Sequence, residues 1–82
     1  MNETKIAVLT IIVENNADTC RIQTFLSDYG SCIIGRMGIP HCEKHVRIIT
    51  VVLDAPIEAT NELTGKLDSL DNVNASVVFA SV

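Results

Sequence analysis

The sequence predicts an α+β fold in which two helices lie on one face of a four-stranded antiparallel sheet. Three observations carry that expectation: two long β-branched runs free of Gly and Pro, two segments with apolar residues at helical spacing, and a short polar connection between the second and third extended runs. Size sets a further bound. With 82 residues, 48% of them apolar and 20% charged, the chain makes a single domain spanning 1–82. A chain this short buries only about 60% of the surface that its unfolded form exposes, so one core leaves it marginal unless something adds to it.

Lys5 to Glu14 is dense in Ile, Val and Thr and reads as the first strand. Asn15 and Asn16 are N-cap candidates, Asp18 suits a first helical turn, and Ile22, Phe25, Leu26 and Tyr29 then recur at helical spacing. Gly30 is placed to close that helix in a left-handed conformation. Ser31 to Ile39 returns to extended character, Gly35 and Gly38 suggest a bulge or a close backbone approach, and Pro40 ends the strand. A third strand, His45 to Leu53, follows after a loop of about four to six residues, which makes a hairpin. Asp54 is placed to cap a second helix with Pro56 in its first turn. Leu63, Leu67 and Leu70 form the buried stripe of that helix, with Ile57 or Thr60 one turn earlier. Asp71-Asn72 supplies turn chemistry, and Val73 to Val82 is the fourth strand.

Two strand-helix-strand units joined by a hairpin, with right-handed crossovers, give the ferredoxin-like βαββαβ sandwich. One sheet face is then bare of helices. Yet the first strand does not alternate: Ile6, Val8, Thr10 and Ile12 lie on one side, Ala7, Leu9, Ile11 and Val13 on the other. Strands that are apolar on both sides belong to sheets covered on both sides. The expectation is a homo-oligomer, dimer or tetramer, formed through the sheet. Ile11, Val13 and Gly65 are read as interface or packing positions; Gly65 within a helix suggests that a strand or a neighbouring subunit approaches there.

Charge and cysteine usage narrow the classes. Six basic against ten acidic residues give a net charge of −4, which argues against direct binding of nucleic acid. The longest apolar run, Ile6 to Val13, is far short of the roughly 20 residues that span a bilayer, so no membrane partner is expected. Three separate cysteines, Cys20, Cys32 and Cys42, point to a reducing cytoplasm rather than a disulfide framework. No oriented catalytic constellation is visible, and a non-enzymatic role is expected. Thr64-Gly65-Lys66 lacks the spacing, preceding strand and hydroxyl residue of a phosphate loop.

The segments Thr10-Ile-Ile-Val-Glu14, Arg36-Met-Gly-Ile-Pro40 and Thr64-Gly-Lys-Leu67 resemble those of the iron-only hydrogenase system regulators, small ACT-like proteins similar in fold to the C-terminal regulatory domain of the nickel-responsive repressor. The resemblance spans nearly the whole chain. It implies an ACT-like ferredoxin fold, oligomerisation through the sheet, and a regulatory role in bacteria or archaea that make iron-only hydrogenase. Amino-acid-binding ACT domains usually place a Gly after the first strand. Here that loop reads Glu14-Asn15-Asn16-Ala17, which tells against amino-acid sensing.

Two candidate sites follow. An effector pocket is expected between the turn at Asn15 and Asn16 and the segment holding Arg36, Gly38 and Pro40. Arg36 either reaches an anion or pairs with Glu14 or Asp54 across an assembly. His41, Cys42 and His45 form a ligand set suited to a divalent transition metal such as nickel or zinc; the competing reading is a polar surface hairpin. The first-choice function is a regulatory module that binds a small effector or a DNA-binding partner regulator at a subunit interface. A metal sensor and a purely structural oligomerisation domain are the alternatives.

Overall fold

In the computed structural model, which describes residues 3–14, 16–41 and 44–81, the pleat of the first strand sorts its own side chains. Along β1 (Lys5–Val13) Ala7, Leu9, Ile11 and Val13 are buried, whereas Ile6, Val8 and Ile12 stay exposed on the opposite face. The same alternation buries Ile49, Val51, Leu53 and Ala55 of β3 (Val46–Ala55). With β2 (Ile33–His41) and β4 (Val73–Phe79), these strands make one antiparallel sheet in the order β2-β3-β1-β4. This is the expected ferredoxin-like arrangement.

Both helices cover the same face. Ile22 and Leu26 of α1 (Thr19–Asp28) and Leu63 and Leu67 of α2 (Ile57–Asp68) join the buried residues of β1 and β3 in a single core cluster. Helical spacing places these residues on one stripe of each helix, and burying a Leu or Ile stabilises the fold by about 1.5–3 kcal/mol. Phe25, Tyr29 and Leu70 pack at the core's margin.

The local punctuation differs from the sequence expectation at several points. Asp18, not Asn15 or Asn16, caps α1: its side chain accepts from the Arg21 backbone N–H at 3.1 Å. Gly30 does not take a left-handed conformation; it opens a single 3₁₀ turn, Gly30–Cys32, that leads directly into β2. Pro40 does not end its strand. It pairs opposite Arg47 on β2, an edge strand where a missing N–H is tolerated. Asp54 remains in β3 opposite Ile6, and Pro56 itself is the N-cap of α2. Of the two residues offered one turn before Leu63, Thr60 is buried and Ile57 is exposed. β4 stops at Phe79.

Other expectations stand. The register shifts between Ile33 and Gly35, which is the bulge that Gly35 suggested. Asn72 has φ 62°, the left-handed value that Asn adopts most readily, and so turns the chain from α2 into β4. Glu14 N–H donates to the Asn72 carbonyl at 2.8 Å and closes this end of the sheet.

Candidate functional site

Cross-strand pairing assembles an uncovered apolar surface on the face away from the helices. Its rows run Gly35, Val52, Val8, Val78, then Met37, Thr50, Thr10, Ser76, then Ile39, Ile48, Ile12, Asn74. Ile12 is 38% exposed at the centre, and Met37 and Val78 are 58% and 72% exposed towards the two edges. Apolar residues scattered on a surface are ordinary; here Val52, Val8 and Val78 form one apolar row and Ile39, Ile48 and Ile12 another, with the hydroxyl residues Thr50, Thr10 and Ser76 between them. Ile11 and Val13 are packing residues within the subunit, both in the core, so they are not available at an interface; the outward residues of β1 are Ile6, Val8 and Ile12. Gly65 is exposed on α2, and a Cβ built there would meet nothing within 4 Å, so no strand of its own chain requires a glycine there.

Among the described residues, two cavities flank α1. A groove of about 450 Å³ between α1 and β2 is lined by Gln23, Leu26, Ser27, Gly30, Ile33 and Arg36. Arg36 faces the helix side of the sheet, in the row of Val51, Leu9 and Val77, and its Nη2 donates to Gln23 Oε1 at 2.8 Å. The second cavity, about 280 Å³, lies between the β1-α1 turn and the end of α2 and is lined by Asn16, Asp18, Arg21, Ser69, Leu70 and Asp71. Asn16 sits there with φ 70°. Asn16 and Arg36, expected in one effector pocket, therefore line different cavities within one chain. Gly38 and Pro40 continue β2 past the groove, and both are exposed.

Neither Glu14 nor Asp54 makes a salt bridge to Arg36; among the described residues the only one joins Lys66 to Glu62 at 3.4 Å. Sequence reasoning missed Gln23, Ser27, Gly30 and Ile33. A signal was present: Gln23, Leu26, Ser27 and Gly30 follow the spacing of one helical face, beside the core stripe of Ile22 and Leu26. The partner strand was less legible, because no local pattern reports which helix a distant Arg will meet.

Asn15 and Cys42 lie outside the described residues. His41 closes β2, and His45 stands in the connecting turn with φ 56°. Among the described residues no group of three His, Cys, Asp or Glu side chains comes together around a point that would suit a metal ion. Cys20 is exposed and Cys32 half-buried. No helix among the described residues is long and apolar enough to cross a membrane.

The model of the TM1266-like family, described as "Iron-only hydrogenase system regulator, putative", matches residues 5–77. The chain belongs to that family. The structure of the uncharacterized protein TM1266 from Thermotoga maritima superposes with a TM-score of 0.90 at 29% identity, covering 96% of this chain and 100% of the other. No curated protein matches the chain. In this TM1266-like protein the matched residues run from the start of β1 to within β4.

Proposed function

We propose that this TM1266-like chain is a non-enzymatic regulatory module of the iron-only hydrogenase system. In this reading it associates with copies of itself through the uncovered sheet face and takes a small effector or a partner regulator at the interfaces so formed. The observation that supports it is the face itself: Ile6, Val8, Ile12, Met37, Ile39 and Val78 stand exposed on a sheet whose other side is already filled. Burying such a surface against a second copy supplies the stabilisation that a core of this size lacks. The family's description as a regulator supports the non-enzymatic role.

The mechanism is linkage. A ligand that contacts two subunits favours the arrangement for which its affinity is higher, and that arrangement is what a partner reads. With ten acidic against six basic residues the module is a poor match for a phosphate backbone, so reading DNA falls to a partner regulator in the bacterial cytoplasm.

Sedimentation equilibrium at micromolar concentration, together with native mass spectrometry of the untagged chain, tests the proposal. The expected result is a dimer or tetramer that retains a small molecule or a partner. A stable monomer overturns it.

A further inference from the structure

We propose that the groove between α1 and β2 binds a small organic anion, the anion on Arg36 and its short apolar part against the half-buried Ile33. The inference goes beyond the reading above, because the groove lies within one subunit on the helix side of the sheet, away from the interface that the uncovered face would form. Its volume, about 450 Å³, falls within the range of about 300–1,000 Å³ typical of small-molecule sites. Its walls divide by chemistry: Ile33 is apolar and half-buried over the fully buried Leu26, whereas Gln23, Ser27 and Arg36 are polar or charged.

Arg36 is the decisive group. A guanidinium has five N–H donors, and here one of them is engaged by Gln23 Oε1 at 2.8 Å. That bond fixes the side chain without neutralising it, because the Gln amide carries no charge. Among the described residues of an acidic chain no carboxylate makes a salt bridge to Arg36, so its exposed guanidinium is open to a carboxylate or phosphate from outside. An Arg already held in place loses little freedom when a ligand arrives. The polar cavity at the other end of α1 differs, since two carboxylates, Asp18 and Asp71, line it beside Arg21 and outnumber its one cation.

The test titrates the ¹⁵N-labelled full chain with 4-methylpentanoate and with its uncharged analogue 4-methylpentan-1-ol, following backbone amide resonances. Two variants accompany the native chain: Arg36→Met removes the charge, and Gln23→Glu places a competing carboxylate beside it. The carboxylate is expected to shift Gln23, Ser27, Gly30, Ile33 and Arg36 with a dissociation constant on the order of millimolar, as befits a small probe. Both variants should weaken it by about tenfold or more, the scale of one charge-assisted hydrogen bond. Equal affinity for the alcohol, unchanged binding in Gln23→Glu, or shifts located elsewhere overturn the inference. Sedimentation of the same samples keeps the two readings apart: an intact oligomer that ignores the carboxylate sinks this inference alone, and a monomer that binds it sinks self-association alone.

Discussion

The Tyr29 hydroxyl donates a 2.6 Å hydrogen bond to Oε1 of Glu62, tying the C-cap of α1 to the middle of α2. Lys66 lies 3.4 Å from the same carboxylate oxygen, with its Nζ 5.6 Å from the centre of the Tyr29 ring and 5.9 Å from that of Phe25. The two helices are thus joined above the core by a hydrogen bond and cation–π contacts, with the Lys66–Glu62 ion pair inside α2 holding both partners in place. Donation to Glu62 pushes the Tyr29 phenol above its usual range, while the Tyr29 hydroxyl and then Lys66 hold the Glu62 carboxyl below its own. The bond to Glu62 raises Lys66 in turn.

This cluster predicts a two-sided pH profile. The Glu62 contribution is present above the carboxyl's unfolded value and is lost as pH falls through its lowered folded value. The Tyr29 and Lys66 contributions are present below their unfolded values and are lost as pH rises through their raised folded values. Tyr29→Phe should lower Tm slightly at neutral pH, in keeping with an exposed site, and should flatten both the acid and the alkaline limbs. Calorimetric melts from mildly acidic to strongly alkaline pH check this; limbs identical to those of the native chain refute it.

Thr60 is fully buried and its hydroxyl has no hydrogen-bond partner, although its carbonyl accepts from Thr64 Oγ1 at 2.8 Å. A buried orphan hydroxyl costs more than the small difference in helix preference between Thr and Val. Thr60→Val keeps the branched shape and is expected to stabilise the fold by about 1 kcal/mol in urea unfolding at fixed protein concentration. A loss of stability instead means that the hydroxyl is satisfied in solution.

Ile11 and Ile12 are adjacent in sequence and opposite in consequence, the first fully buried and the second 38% exposed. Ile11→Ala should destabilise the subunit by about 2–5 kcal/mol, the cost of a core cavity. Ile12→Lys should leave the secondary structure by circular dichroism unchanged and weaken self-association by about tenfold or more, because a charge would enter the proposed interface. Parallel sedimentation and urea titrations separate the two. A reversed pattern would invert the assignment of sheet faces.

Gly65 sits inside α2 with open space where a side chain would be. Gly65→Ala is therefore expected to stabilise the helix by about 0.5–1 kcal/mol without changing the subunit count. If the substitution dissociates the oligomer, a neighbouring subunit approaches α2 at this point and the glycine serves assembly.

The sequence by itself determined the order and type of the elements, because periods of 2 and 3.6 are local and survive without knowledge of neighbours. It also determined that both faces of β1 are apolar. For the same reason it left open which face is inner: Ile6, Val8 and Ile12 are as apolar as Leu9, Ile11 and Val13, and only the placement of α1 and α2 over one side decides between them. Strand ends were equally out of reach, since Pro40 stops a central strand but not the edge strand it occupies here. The meeting of Arg36 with Gln23, thirteen residues earlier, also belongs to the tertiary structure, because it depends on how α1 lies beside β2 and no local pattern encodes that placement.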